Sequence, residues 1–342
     1  MIYIRVDMNE IIATGHLMRC LSIADAVVAR GGKVVFITAD KIPVPYLIER
    51  GYNAVVLDTS WDCMEQEITA IKEKIQFHDD DKFLIDSYQV TENYLQEITK
   101  MVYTIYIDDL NAFLYPVNCV LCYANYWEQF YYRKEYQKAG YSTSFLLGCG
   151  YVPLKKEFAE MKKKEVCSLP GKLLIMSGGG DPYNVIGQIL ENINIEEYTS
   201  IDVICGRYHQ FHDELKEQWD HADRIQIHRS VEHIEKYMKK ADIAISAGGT
   251  TLYELCVCGT PTITYSFADN QLDNVKQFQA DGIMEYAGDA RFENVGYNVS
   301  KFLQGAYQSE TVRRKLSEKM QLLVDGKGAE RIAHFILEGE RS

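Results

Sequence analysis

The chain has 342 residues, 47% of them hydrophobic and 25% charged, and a formal net charge of −13. That length allows two domains, and the acidic balance argues against a general nucleic-acid binder. No run approaches the ~18 apolar residues of a membrane span, and nine cysteines without framework spacing read as thiols of a cytoplasmic protein rather than as disulfides.

The chain enters a strand at once, residues 2–6 (IYIRV), with no secretory leader expected. A loop over 7–14 leads to an amphipathic helix from Gly15 to Arg30, stopped by Gly31 and Gly32. Residues 33–38 (KVVFIT) form the second strand. Shorter strands are expected at 54–57, 82–86 (KFLID), 102–107 (VYTIYI) and 119–121, with helices at 63–77 and 92–101. Alternating strand and helix predict a parallel, Rossmann-like sheet. The tyrosine-rich stretch 113–141 reads either as the lining of a sugar pocket or as a lid or domain-interface surface. Cys119 and Cys122 form a lone CxxC with Cys149 downstream. A zinc site would need a fourth ligand at recognisable spacing, so no metal is expected.

Residues 155–168 are charged and helical in composition, and the interdomain connection is placed at 152–168. A second sheet starts with 172–176 (KLLIM). A turn of Gly178, Gly179 and Gly180 follows, with Pro182 and Asn184 on the first turn of a helix. Strands at 201–205 and 225–228 and a helix at 231–240 lead to a strand ending at 245. A second Gly-rich turn holds Gly248, Gly249, Thr250 and Thr251 and opens a helix over 252–258. That helix carries Glu254 in its first turn, and the next strand, 261–265, is followed by Asn270 and Gln271. Helices at 310–323 and 329–337 close the chain. The expected domains are 1–155 and 156–342, with the last helix able to pack back on the first domain.

Polar residues gather at the ends of these strands, where open α/β sheets bind ligands. In the first half they are Gly15, His16, Arg19, Asp86, Tyr88, Asp108 with Asp109, Asn125 and Tyr126. Each has a plainer reading: His16 as a helix-start residue bonded to a carbonyl, Arg19 as a surface cation, Asp108-Asp109 as a turn. In the second half, two glycine turns at strand ends suit a diphosphate. Their backbone N–H groups and the helix dipole favour an anion, and Glu254 suits ribose hydroxyls. No GxGxxG followed by a strand-end acid and no GK(S/T) is present, so neither NAD nor ATP is expected as a cofactor.

The run 246–271 (SAGGTTLYELCVCGTPTITYSFADNQ) resembles the nucleotide-binding motif of MurG-like glycosyltransferases and related UDP-sugar hydrolases. Further matches are to the PseG family, the UDP-2,4-diacetamido-2,4,6-trideoxy-β-L-altropyranose hydrolases of pseudaminic acid biosynthesis. ATGHLMRCLSIA (13–24) is similar to that family's Gly-x-Gly-His-x-x-Arg start. LIDSYQV (84–90), IDDL (107–110), YANY (123–126) and LLGCGYVPLKKEF (146–158) resemble later segments in order. Ala13 stands where a glycine is common, and Lys155-Lys156 where an arginine is usual.

The resemblance implies a GT-B-like fold: two Rossmann-like domains with parallel sheets facing across a cleft. It implies hydrolysis of the UDP-sugar to UDP and free sugar, by inverting attack of water without metal, with His16 as the base. A helix N-terminus would keep that imidazole neutral. Gly15, Arg19, Asp86, Tyr88, Asp108, Asn125 and Tyr126 are then candidate sugar contacts. Gly178, Gly179, Gly180, Asn184, Gly248, Gly249, Thr250, Thr251, Glu254, Asn270 and Gln271 are candidates for the nucleotide. A UDP-sugar-dependent glycosyltransferase and a non-catalytic UDP-sugar-binding partner are the other readings, because one fold serves many functions.

Overall fold

The computed structural model describes residues 1–9, 11–12, 14–219 and 221–339. Ala13 lies outside them. Two compact units divide the chain, Met1–Lys156 with Lys327–Ser342, and Glu157–Gly326.

The first unit runs β1 (Ile2–Val6), α1 (Gly15–Ala29), β2 (Val34–Thr38), α2 (Val44–Glu49), β3 (Asn53–Val56), α3 (Glu67–Lys74), β4 (Lys82–Asp86), α4 (Glu92–Thr99), β5 (Tyr103–Ile107), β6 (Cys119–Cys122), α5 (Tyr132–Ala139) and β7 (Ser144–Leu147). All strands pair in parallel in the order β3-β2-β1-β4-β5-β6-β7. Apolar runs such as FLI in β4 and VL in β6 are buried on both faces, as helices covering a parallel sheet require. Helix α1 buries Leu21, Ile23 and Val27, each at most 3% exposed, and each such burial is worth ~1.5–3 kcal/mol.

The chain winds outward from β1 through β2 to β3, then returns to place β4 on the other side of β1. That reversal opens a crevice at the carboxyl ends of β1 and β4. The register sets Val6 beside Asp86 there. Arg5 of β1, fully buried, pairs with Glu67 of α3 and with Asp7. Asp7 in turn accepts a bond from the Ala39 amide (2.9 Å), tying the loop after β1 to the end of β2.

A short helix, α6 (Lys156–Ala159), leads on to β8 (Lys172–Met176), α7 (Val185–Asn192), β9 (Ser200–Cys205), α8 (His212–Trp219), β10 (Ile225–Arg229), α9 (Ile234–Lys240), β11 (Ile243–Ala247), α10 (Thr251–Cys258), β12 (Thr262–Ser266), α11 (Asp269–Ala280), β13 (Glu285–Asp289), α12 (Val295–Gln304) and α13 (Glu310–Leu323). The second sheet is parallel, in the order β10-β9-β8-β11-β12-β13. Its reversal falls between β8 and β11, whose register sets Met176 beside Ser246. Both glycine turns leave the sheet at that point. The last helix, α14 (Gly328–Glu338), belongs to the first unit and packs on α1.

Several elements differ from the sequence reading. Residues 155–168 are helical only over Lys156–Ala159. Beyond it, carbonyls that a helix would use internally serve other donors. Lys239 Nζ donates to Lys162 O, and Arg313 donates to Cys167 O (2.9 Å) and Ser168 O (2.8 Å). Buried Lys164 donates to Ala241 O and, at 2.5 Å, to Lys239 O. Pro182 does not open α7, which starts at Val185 behind a cap formed by Asp181 and Asn184. Much of the tyrosine-rich stretch is core rather than surface. Tyr115, Tyr123, Tyr126, Tyr132 and Tyr136 are buried, and all but Tyr123 belong to one core cluster with Ile85 and Val120.

Candidate functional site

In the first unit a charged cluster forms around Asp86, the last residue of β4 and 2% exposed. Arg19, one helical turn into α1, grips Asp86 through Nε and Nη2, a bidentate pair. His16, on the opening turn of the same helix, places Nδ1 2.6 Å from Asp86 Oδ1. Spacing of three on one helix makes both reach one carboxylate. Arg19 is thus a buried counter-ion rather than a surface cation. Its Nη1 also donates to Tyr123 OH (2.5 Å) and to Asp109 Oδ2 (3.3 Å).

Burial alone would raise the Asp86 carboxyl. Arg19 and His16 outweigh burial and hold it well below the usual carboxylate range. Asp86 is therefore an acceptor, which His16 meets through Nδ1–H. Arg19 Nη2, at 3.4 Å from Nδ1, is the more distant neighbour. In the neutral ring an Nδ1–H bonded to Asp86 leaves Nε2 as the lone-pair atom, and no side-chain bond to Nε2 forms among the described residues. The Tyr88 ring packs edge-on against the imidazole, centroids 4.7 Å apart at 85°, and Tyr88 OH donates to Asp109 Oδ2 (2.9 Å). An aspartate below, an aromatic edge at the side and an open Nε2 make His16 competent to accept a proton.

Gly15 is exposed at the start of α1, and a side chain there would meet nothing within 4 Å. Thr14, the residue before it, gives no side-chain cap, and the first turn carries no acid. Asp108 is not drawn into the cluster. It is 1% exposed, and its oxygens accept the amides of Leu110 (2.9 Å) and Asn111 (3.0 Å) and the hydroxyls of Tyr115 (2.8 Å) and Tyr132. The neighbour, Asp109, reaches Arg19 and Tyr88 instead. Tyr126 is buried and donates to the Asp109 carbonyl (3.0 Å), while Asn125 is half-buried on the loop after β6. Cys20 approaches Asp86 from α1 (3.4 Å). Sequence reasoning therefore missed Tyr123 and Cys20, and it named Asp108 as a candidate sugar contact where the structure puts Asp109 beside Arg19 and Tyr88.

In the second unit both glycine turns are shaped by close backbone approach. Gly178 has φ +74°. A side chain on Gly206 would stand 2.0 Å from Gly178 O, so the turns after β8 and β9 lie against each other. Tyr208 N donates to Gly179 O (3.1 Å). A side chain on Gly248 would meet Val275 Cγ1 at 2.4 Å, whereas one on Gly249 meets nothing within 4 Å. The Gly248 carbonyl accepts from Asn274 Nδ2 (3.0 Å), and Asn274 Oδ1 accepts from Tyr253 OH (2.8 Å). Thr250 is exposed, Thr251 and Glu254 are half-buried, and no side chain caps the start of α10.

Two candidates are engaged within the fold. Asn184 adopts φ +48° and caps α7 by accepting from Gly187 N (3.3 Å). Gln271 Oε1 accepts from Phe267 N (2.9 Å), bracing the loop into α11, while Asn270 is exposed. Gly180 continues the turn after β8 beside the Tyr208 carbonyl.

Comparison with known proteins covers both units. Residues 178–325 match the Glycosyltransferase family 28 C-terminal domain. An uncharacterized protein of Methanocaldococcus jannaschii is 24% identical over 260 residues, 73% of this chain and 52% of the relative. The pseudaminic acid cytidylyltransferase and UDP-2,4-diacetamido-2,4,6-trideoxy-beta-L-altropyranose hydrolase of Helicobacter pylori is 25% identical over 154 residues, 44% of this chain and 27% of that protein. The chain thus spans about half the length, or less, of these relatives. The crystal structure of Acinetobacter baumannii MurG superposes with a TM-score of 0.67 at 12% identity, over 98% of each chain. The fold is therefore that of the GT-B glycosyltransferases, two parallel-sheet α/β domains of seven and six strands, with a family 28-like domain over residues 178–325.

Proposed function

We propose that the chain hydrolyses UDP-2,4-diacetamido-2,4,6-trideoxy-β-L-altropyranose to UDP and the free 2,4-diacetamido-2,4,6-trideoxy-L-altrose. The observation that carries the reading is the His16–Asp86 pair at 2.6 Å, at the switch point of the first sheet. His16 Nε2 takes a proton from water as its oxygen bonds to the anomeric carbon. The bond from that carbon to the β-phosphate oxygen breaks, and UDP leaves with the electron pair. Asp86 stabilises the imidazolium that forms. The uncapped amides at the start of α10, with Thr250 and Thr251, stabilise the departing diphosphate charge. Attack from the face opposite UDP gives inversion. Tyr88, Asn125 and Gly15 contact the sugar, and Gly178, Gly179, Gly249, Glu254 and Asn270 contact the nucleotide.

The test is UDP release from that UDP-sugar without acceptor and with EDTA present, following the anomeric proton by NMR. Rapid release of inverted free sugar is the expected result. A UDP-sugar-dependent transferase is the second reading, favoured by the family 28 match over residues 178–325. Turnover only on adding an acceptor would establish it in place of the hydrolase.

A further inference from the structure

Four tyrosines of residues 113–141 converge on Asp108 and Asp109, which follow β5, and on Arg19 of α1. Tyr115 OH and Tyr132 OH donate to the two Asp108 oxygens. Tyr126 OH donates to the Asp109 carbonyl (3.0 Å), and Tyr123 OH accepts from Arg19 (2.5 Å). Asp108 also fixes the amides of Leu110 and Asn111, the latter at φ +50°. The backbone on both sides of Asp109 is thereby held. Its carboxylate then has one route to its partners: Oδ2 accepts from Tyr88 OH (2.9 Å) and Arg19 Nη1 (3.3 Å). Tyr88 stands edge-on to the imidazole, and Arg19 grips the carboxylate that holds Nδ1.

From this chain of contacts we infer that Asp109 is a positioning residue for His16. Tyr115, Tyr126 and Tyr132 hold it in place, and Tyr88 and Arg19 transmit it. Asp109 fixes the ring from the side that Asp86 does not reach. Without Asp109, Tyr88 loses the one side-chain anchor its hydroxyl has among the described residues, and its ring is free to turn away from the imidazole. The tyrosine-rich stretch then has a function that neither a sugar-lining nor a lid surface describes. It is the rigid backing of a proton-accepting group.

The inference rests on the proposed role of His16, and its test does not need turnover. Long-range ¹H–¹⁵N spectra of the full chain report the His16 ring, assigned by its loss in His16→Asn. Tyr126→Phe and Asp109→Asn should shift or broaden that signal while His209 and His228 of the second unit stay fixed. In a turnover assay kcat should fall about 3- to 10-fold for Tyr126→Phe, the scale of one neutral hydrogen bond. UDP affinity by calorimetry should stay within about twofold. Tyr126→Phe removes only a hydroxyl, so it guards against the case in which Asp109→Asn does not fold. An unchanged His16 signal in Tyr126→Phe and in folded Asp109→Asn overturns the inference, whatever the turnover. Absence of UDP release from the native chain would count against the hydrolase reading alone.

Discussion

His16 and Asp86 stand 2.6 Å apart, one on the opening turn of α1 and the other at the last position of β4. Neighbouring strands β1 and β4 bring them together, with Val6 in register with Asp86. If His16 is the base, His16→Asn lowers kcat by ~10²- to 10⁴-fold and leaves UDP affinity as it was. Near-normal turnover in that variant would remove the assignment.

Asp86→Asn acts twice. It deprives the buried Arg19 of its counter-ion, at a cost of ~3–5 kcal/mol of stability, and it replaces the charge facing Nδ1 by a neutral amide that does not stabilise an imidazolium. The same carboxylate makes stability depend on pH. Its folded pKa lies below the ordinary value, ~3.9, so its contribution is complete above that value and is lost as pH falls toward the folded one. Urea unfolding between about pH 6 and 2 should show a steeper acid loss for the native chain than for Asp86→Asn. Equal acid limbs would mean that the pairing contributes nothing.

The adjacent glycines 248 and 249 separate fold from ligand. Gly248→Ala drives a methyl to 2.4 Å from Val275 Cγ1, an overpacking of ~1–3 kcal/mol, visible as a lower melting temperature. Gly249→Ala enters open space, so stability holds while UDP affinity falls as the added methyl keeps a phosphate from the helix-start amides. If Gly249→Ala binds UDP as the native chain does, the turn after β11 does not approach the phosphates.

Lys164 gives a slope at the other end of the pH scale. Burial pushes its amine down from 10.5 to about 8, while Asp242 opposes that effect. Below pH 8 both folded and unfolded chains carry the charge, and the cost of burying it is present in full. Between about 8 and 10.5 the unfolded chain binds the extra proton, so stability rises with pH through that window. Lys164→Met should abolish the rise. A native stability that is flat or falling across the window, after matching against the variant, would contradict it.

The strand-turn-helix units around His16 and Gly248 were legible because they are local. A strand end, a permissive turn and a helix start follow one another within about 15 residues, and each has its own residue chemistry. The parallel pairing of the sheets followed from alternation, whereas the strand order, and with it the position of the two reversals, came from the structure. What was not legible depended on partners distant in sequence. Asp108 and Asp109 are chemically alike, and tyrosines 115 and 132 decide which of them turns inward. Helix-forming composition at 160–168 gave way to donors on Lys239 and Arg313. Asn184 and Gln271 have the chemistry of ligand contacts, yet cap and brace their own helices.

The boundary residues of the second unit touch each other. A side chain on Gly326 would stand 2.5 Å from Phe158 O, so the chain leaves that unit where it entered. In the first unit, Gly328 lies in the same manner against Val152, a side chain there reaching 2.1 Å from its carbonyl. In connectivity the second unit is therefore an insertion, spliced into the first between Lys156 and Lys327 rather than appended to it. Modules with meeting ends are exchangeable. Both joins between the two units fall at residues 156–157 and 326–327.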